Sequence, residues 1–177
     1  PNAKAIRAPY ADRDNVGSPN DYGGIILSTS GDGKTAILFL VNPRGIQYDA
    51  ITSDTSGEDS APDFFWDSAG RIHEDRWTAE IRIPFSSLRY DAKADQKWTA
   101  ILYRNYPRDR RYQMFSAKLP RDVSCFVCSY VPLTGIESLP SAGGLVAAPF
   151  VTASETSLPE DGLGSPLESQ GTDIEGG

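Results

Sequence analysis

The sequence predicts an all-β fold, an antiparallel β-sandwich, on three observations. Its apolar residues come in short runs or in strict alternation. Turn residues separate those runs at short intervals, beginning with Gly31-Asp32-Gly33. No segment carries apolar residues at helical spacing over three turns, and that combination is the pattern of a sandwich.

Residues 22–29 (YGGIILST) and 35–42 (TAILFLVN) are two such runs, and the Asp-Gly turn between them signals a hairpin. The second run has no polar interruption before Asn42, so it is expected to be buried on both faces. Asn42-Pro43-Arg44-Gly45 turns the chain into a third strand, residues 46–53 (IQYDAITS), and short turns between three strands favour an antiparallel meander. A polar loop, Asp54 to Pro62, leads to Phe64-Phe65-Trp66 and then to turn residues around Gly70. The strictest alternation follows: Trp77, Ala79, Ile81 and Ile83 on one face, predicted to lie in the core, with Thr78, Glu80 and Arg82 on the wet face. Pro84 ends that strand, and Phe85-Ser86-Ser87-Leu88 allows one turn of helix at most. Residues 97–104 (KWTAILYR) form a further strand to which residues 111–117 pair back, giving six or seven strands in all.

A chain of 177 residues suits one domain with a substantial core. Its net charge of −7 is unevenly spread. Residues 1–121 hold all 17 Lys and Arg against 16 of the 24 acids, so the remaining eight acids lie from Asp122 onward with no base among them. The expected division is therefore a sandwich module, 1–150, and an acidic Ser/Gly/Pro-rich tail, 151–177, irregular and extended. Such a tail cannot offset its own ordering entropy except against another surface, which makes it a candidate docking element. Its charge argues against nucleic acid as a partner. No run approaches the roughly 18 apolar residues that cross a bilayer, so no transmembrane segment is expected. No charged-then-apolar leader opens the chain, and a signal is expected to have been removed or the N-terminus to be incomplete.

Chemistry-bearing motifs are few. Gly31-Asp32-Gly33-Lys34-Thr35 contains the end of a phosphate-binding loop, but Ser28 stands where its first glycine belongs and a strand follows where a helix is needed. The lone histidine, His73, lies in a polar turn without a nucleophile elbow, so no catalytic triad can be assembled and no enzyme is expected. Cys125 and Cys128 form a single C-x-x-C with no second pair, which excludes a four-ligand zinc site and leaves a local disulfide, a redox pair or two buried thiols. Acids cluster from Asp54 to Asp67. A solvated loop explains them, and a structural calcium held by Asp59, Asp63 and Asp67 is the functional alternative.

The densest feature is the segment from Tyr103 to Tyr112, where Arg104, Arg108, Arg110 and Arg111 alternate with Tyr103, Tyr106 and Tyr112. Arginine forks and aromatic faces suit phosphate, anionic lipid or an acidic partner, and equally suit a hairpin that pairs with its own acids. Among the tryptophans, Trp77 and Trp98 open apolar strands and read as core. Trp66, flanked by loop, is the expected stacking platform for a sugar.

Asp75-Arg76-Trp77-Thr78-Ala79-Glu80-Ile81-Arg82-Ile83-Pro84-Phe85-Ser86-Ser87-Leu88 resembles the late strand of family-9 carbohydrate-binding modules. It resembles still more the family-9-like (DOMON-like) domain of bacterial envelope proteins of unknown function. Arg13-Asp14-Asn15, Asp21-Tyr22-Gly23-Gly24-Ile25, Phe39-Leu40-Val41-Asn42-Pro43-Arg44-Gly45, Trp66-Asp67-Ser68-Ala69 and Leu133-Thr134-Gly135-Ile136-Glu137 extend the likeness over residues 5–150. That family's opening strands have no counterpart before Arg13, so the module is expected to lack them. The resemblance implies a jelly-roll-like sandwich, an exported, periplasmic or outer-envelope location, and carbohydrate binding. The leading expectation is a non-catalytic accessory subunit that docks on the periplasmic side of a larger bacterial membrane or envelope complex. The alternative is a glycan-binding module, with or without structural calcium.

Overall fold

The computed structural model describes residues 3–91, 95–140, 149–161 and 164–176. The fold is all-β, with helix limited among the described residues to single turns such as Phe85–Ser87. The chain divides into two compact units, Pro1–Gly143 and Gly144–Gly177, so the first ends short of the predicted boundary at 150.

The first unit is organised by one curled antiparallel sheet. β1 (Tyr22–Ser28), β2 (Thr35–Val41) and β3 (Gln47–Ser53) form the expected meander, extended at the edge by a short β4 (Gly57–Asp59). On the other side of β1 lies β7 (Thr99–Pro107), which pairs with β8 (Arg111–Phe115) and with the two-residue β9 (Val131–Pro132). The spatial order is β4-β3-β2-β1-β7-β8. Register places Leu38 beside Ile26 and Ala50, and Ile26 beside Ile101, so one row of alternate residues crosses four strands.

Because successive side chains point to opposite faces, the sheet has two cores. One contains Ile26, Leu38, Leu40, Ala50, Ile101 and Tyr103. The other contains Leu27, Phe39, Val41 and Ala100, covered by Trp66, Leu88 and Trp98. β2 feeds both, as its unbroken apolar run predicts: Leu38 to Val41 are all buried. The covering layer of the second core comes mostly from loops, which makes the fold sandwich-like with one full sheet. Phe39 is fully buried, with Phe64 and Trp66 edge-on to its ring at 5.6 and 5.4 Å. Burying each such side chain is worth roughly 1.5–3 kcal/mol.

Among the described residues β5 (Asp67–Ile72) and β6 (Trp77–Arg82) pair only with each other, and here the structure corrects the sequence. Gly70 lies inside β5, not in a turn. A Cβ there would stand 2.6–2.8 Å from Gly45 N, Pro43 O and Asn42 O, so glycine lets the strand pass against the β2–β3 turn. The alternating strand β6 is half-buried at Trp77 and Ile81, and Ala79 is exposed. Its alternation marks one face of a two-stranded ribbon laid over the second core, through Ile81 and Ile83, rather than a strand of the main sheet.

The tail is also more regular than predicted. β10 (Val151–Pro159) and β11 (Leu167–Gly176) form an antiparallel ribbon, with a register shift between Glu155 and Ser157. Its turn is closed by Glu160 N donating to Pro166 O at 3.2 Å and Asp161 N to Ser165 Oγ at 3.0 Å. Val151, Thr152, Thr172 and Ile174 favour strands even where composition offers no core. Every residue of both strands is exposed.

Candidate functional site

The first core is incompletely filled. A hollow of about 240 Å³ opens among Tyr22, Ile26, Leu38, Leu40, Tyr48, Thr52, Glu58, Tyr103, Arg111, Gln113, Phe115 and Phe126. All but Phe126 and the loop residue Val16, which also lines it, are alternate residues of one sheet face. Glu58 comes from β4 and Arg111 from β8, the two ends of the six-strand order. Neighbouring strands lie about 4.8 Å apart, so only a curled sheet can bring both ends to one hollow.

Local sequence explains the shape. In the row Tyr48–Leu40–Gly24–Tyr103–Phe115 the central residue is glycine, flanked by large side chains. A Cβ on Gly24 would fall 2.0 Å from Phe39 O, so β1 and β2 approach more closely there than any side chain permits. The floor is aliphatic, and the rim is polar. Arg111 donates through Nε to Asn105 Oδ1 at 2.8 Å and through Nη2 to the hydroxyls of Tyr22 and Tyr103 at 3.3 and 3.5 Å. Gln113 Nε2 donates to Tyr103 Oη at 2.9 Å, and the Tyr48 hydroxyl donates to Glu58. Burial first, and then the hydrogen bond with Tyr103, push the Tyr22 hydroxyl up to about 12. Burial and Glu58 also raise Tyr48, so both phenols are neutral donors and acceptors at physiological pH.

Phe126 reaches the hollow from a loop tied in two ways. Cys125 and Cys128 are joined by a disulfide, with Cα atoms 5.7 Å apart. Asp54 accepts from Phe126 N at 2.8 Å and Val127 N at 3.4 Å.

The predicted site residues are distributed differently from expectation. Trp66 is not a platform. It is 4% exposed, its Nε1 donates to the buried Asp49 at 3.0 Å, and the exposed ring of that segment belongs to Phe65. The arginine–tyrosine segment is the end of β7, a tight turn and the start of β8, and its members separate by face. Tyr103 and Arg111 belong to the hollow. Arg108 is structural: it forms a two-pronged pair with fully buried Asp21 at 2.8 and 3.2 Å and lies 4.0 Å over the Tyr106 ring. Arg104 stacks over Trp77 and Tyr106 at 5.6 and 5.3 Å. Tyr112 donates to Asp109 at 3.2 Å, and Arg110 is exposed at the turn.

The calcium set does not assemble. Asp63 pairs with Arg13 at 3.3 Å, Asp67 with Arg82 at 3.1 Å, and Asp59 accepts from Ala61 N at 3.0 Å. Among the described residues no three acids, cysteines or histidines are grouped to hold a metal. His73 is half-buried in the β5–β6 turn, 3.0 Å from Thr78 Oγ1, and does not line the hollow.

Tyr22, Tyr48 and Gln113 escaped the sequence reading, and Glu58 was read only as one of the acids clustered from Asp54 to Asp67. A signal was available, since Tyr22 falls in phase with Ile26 and Tyr48 with Ala50, polar-tipped aromatics on an otherwise apolar face. Comparison with protein-family models, curated proteins and solved structures gives no match.

Proposed function

We propose that this chain is a non-catalytic binding module of the bacterial cell envelope, whose curled sheet holds a single sugar ring. The observation that carries this reading is the hollow: an aliphatic floor and aromatic walls, rimmed by forked polar groups at Arg111, Gln113, Tyr48 and Glu58. Apolar faces for ring carbons and convergent donors and acceptors for hydroxyls are what a sugar requires. At about 240 Å³ the hollow is smaller than the roughly 300–1,000 Å³ of sites for drug-sized ligands, which favours one ring over an extended chain. The resemblance of Asp75–Leu88 to family-9 modules supports both the sugar and the exported location. Calorimetric titration with monosaccharides tests the reading. It expects saturable binding that Leu40→Trp, which fills the floor, abolishes, and absence of binding by any sugar would sink it.

One observation favours a second reading, a subunit docking on the periplasmic side of a membrane complex. A two-stranded ribbon is marginal alone, yet this one exposes Val151, Leu158, Leu167 and Ile174 along unpaired edges. Removal of residues 154–177 should release the protein from a co-purifying envelope complex, and unchanged association would defeat that reading.

A further inference from the structure

We infer that the ligand of the hollow carries a carboxylate, so that the site selects an acidic sugar, a uronate, over its neutral counterpart. The inference rests on the sugar-binding reading and goes beyond it in naming the group recognised.

It starts from the charge of Arg111. Every hydrogen bond this guanidinium makes within the site goes to a neutral atom: the Asn105 amide oxygen and the hydroxyls of Tyr22 and Tyr103. None of the ion pairs among the described residues includes it. Arg108, three residues before Arg111, differs in that it is neutralised by Asp21. Burial keeps the Tyr22 phenol protonated, with the Tyr103 hydrogen bond acting the same way, so it does not supply the missing anion. Asn105 is fully buried and also donates to Ser18 O at 2.9 Å and Asn20 O at 2.6 Å. That anchored amide fixes the guanidinium through Nε, leaving the fork on the hollow side to Nη contacts.

A fixed guanidinium with weak 3.3 and 3.5 Å contacts is matched by a carboxylate, one charge on two oxygens in the plane of the fork. Gln113 Nε2 adjoins the same tyrosine and adds a donor. The acid in the rim, Glu58, is on β4 and is engaged by Tyr48 rather than by Arg111, and it can accept a ring hydroxyl. The rim thus offers a fixed guanidinium that pairs with no acid among the described residues, beside neutral donors that suit the remaining hydroxyls of an acidic ring.

The test is calorimetric titration of the full chain with D-glucuronate, D-galacturonate and D-glucose. The expected result is at least one uronate binding roughly tenfold or more tighter than glucose, with the preference weakening as salt rises. Arg111→Gln should remove the preference and leave weak, equal binding of uronate and glucose. Arg111→Lys, which keeps the charge and loses the fork, should restore only part of it. Near-ultraviolet circular dichroism establishes that both variants are folded. Glucose binding as tightly as the uronates would overturn the inference and leave the sugar-binding reading standing. Failure of all three sugars to bind would overturn both.

Discussion

On the sheet face centred on Phe39, polar groups meet partners inside the protein. Asp49 is fully buried and accepts from Arg13 at 2.5 Å, from Phe64 N at 2.8 Å and from Trp66 Nε1 at 3.0 Å. Around it, Phe39, Phe64 and Trp66 pack edge to face. On the face centred on Leu38 and Leu40, the same strands leave a hollow, and the polar groups of Tyr22, Tyr48, Arg111 and Gln113 converge on its rim. The two faces differ by one residue of register. One face ties its buried carboxylate to three donors within the core; the other turns its polar groups to the rim of a hollow.

The comparison can be broken by deleting adjacent side chains. Phe39→Ala should cost about 4 kcal/mol in urea unfolding, whereas Leu38→Ala, which already borders empty space, should cost about 2. Equal costs would mean that the hollow is as tightly packed as the opposite face. Arg108→Ala should lose about 3 kcal/mol, because it leaves the buried Asp21 carboxylate without its counter-ion.

Alkaline titration sharpens the contrast from the other side. Tyr22 rises from 10.0 to about 12, chiefly through burial. A raised pKa stabilises the fold fully below the unfolded value and loses that contribution as pH rises through the folded one. Stability on the order of 2 kcal/mol should therefore disappear between pH 10 and about 12, and Tyr22→Phe should remove that portion of the fall. The smallest effect belongs to Arg110→Ala, at the exposed turn, expected within about 0.5 kcal/mol of wild type. A larger loss there would show that the arginine–tyrosine segment acts as one unit.

The strands that alternate or run apolar without interruption were legible in the sequence, because pattern reports directly on which face is covered. That is why the meander from Tyr22 to Ser53 and the strand from Thr99 emerged. Gly70 hid β5, since a glycine admitted by close approach to the β2–β3 turn looks the same in sequence as one required by a turn. Trp66 misled for a similar reason. Loop residues flank it, but its burial depends on Asp49, seventeen positions away, offering an acceptor for the indole. At the site, Arg111 and Tyr103 were visible within a dense segment, whereas Glu58 and Tyr48 become neighbours of it only through the curl of the whole sheet, a property no local pattern encodes. The ribbon from Val151 to Gly176 was obscured by composition, which reports on the lack of a core and not on backbone pairing.

The most direct test is amide and methyl chemical-shift mapping by two-dimensional NMR as D-glucuronate is added to the full chain. The account predicts perturbations at alternate residues of one face, Ile26, Leu38 and Leu40 together with Gln113 and Arg111, while Phe39, Val41 and Trp66 stay still. Shifts centred on Phe65 and Trp66, or none in the hollow at saturating sugar, would contradict it.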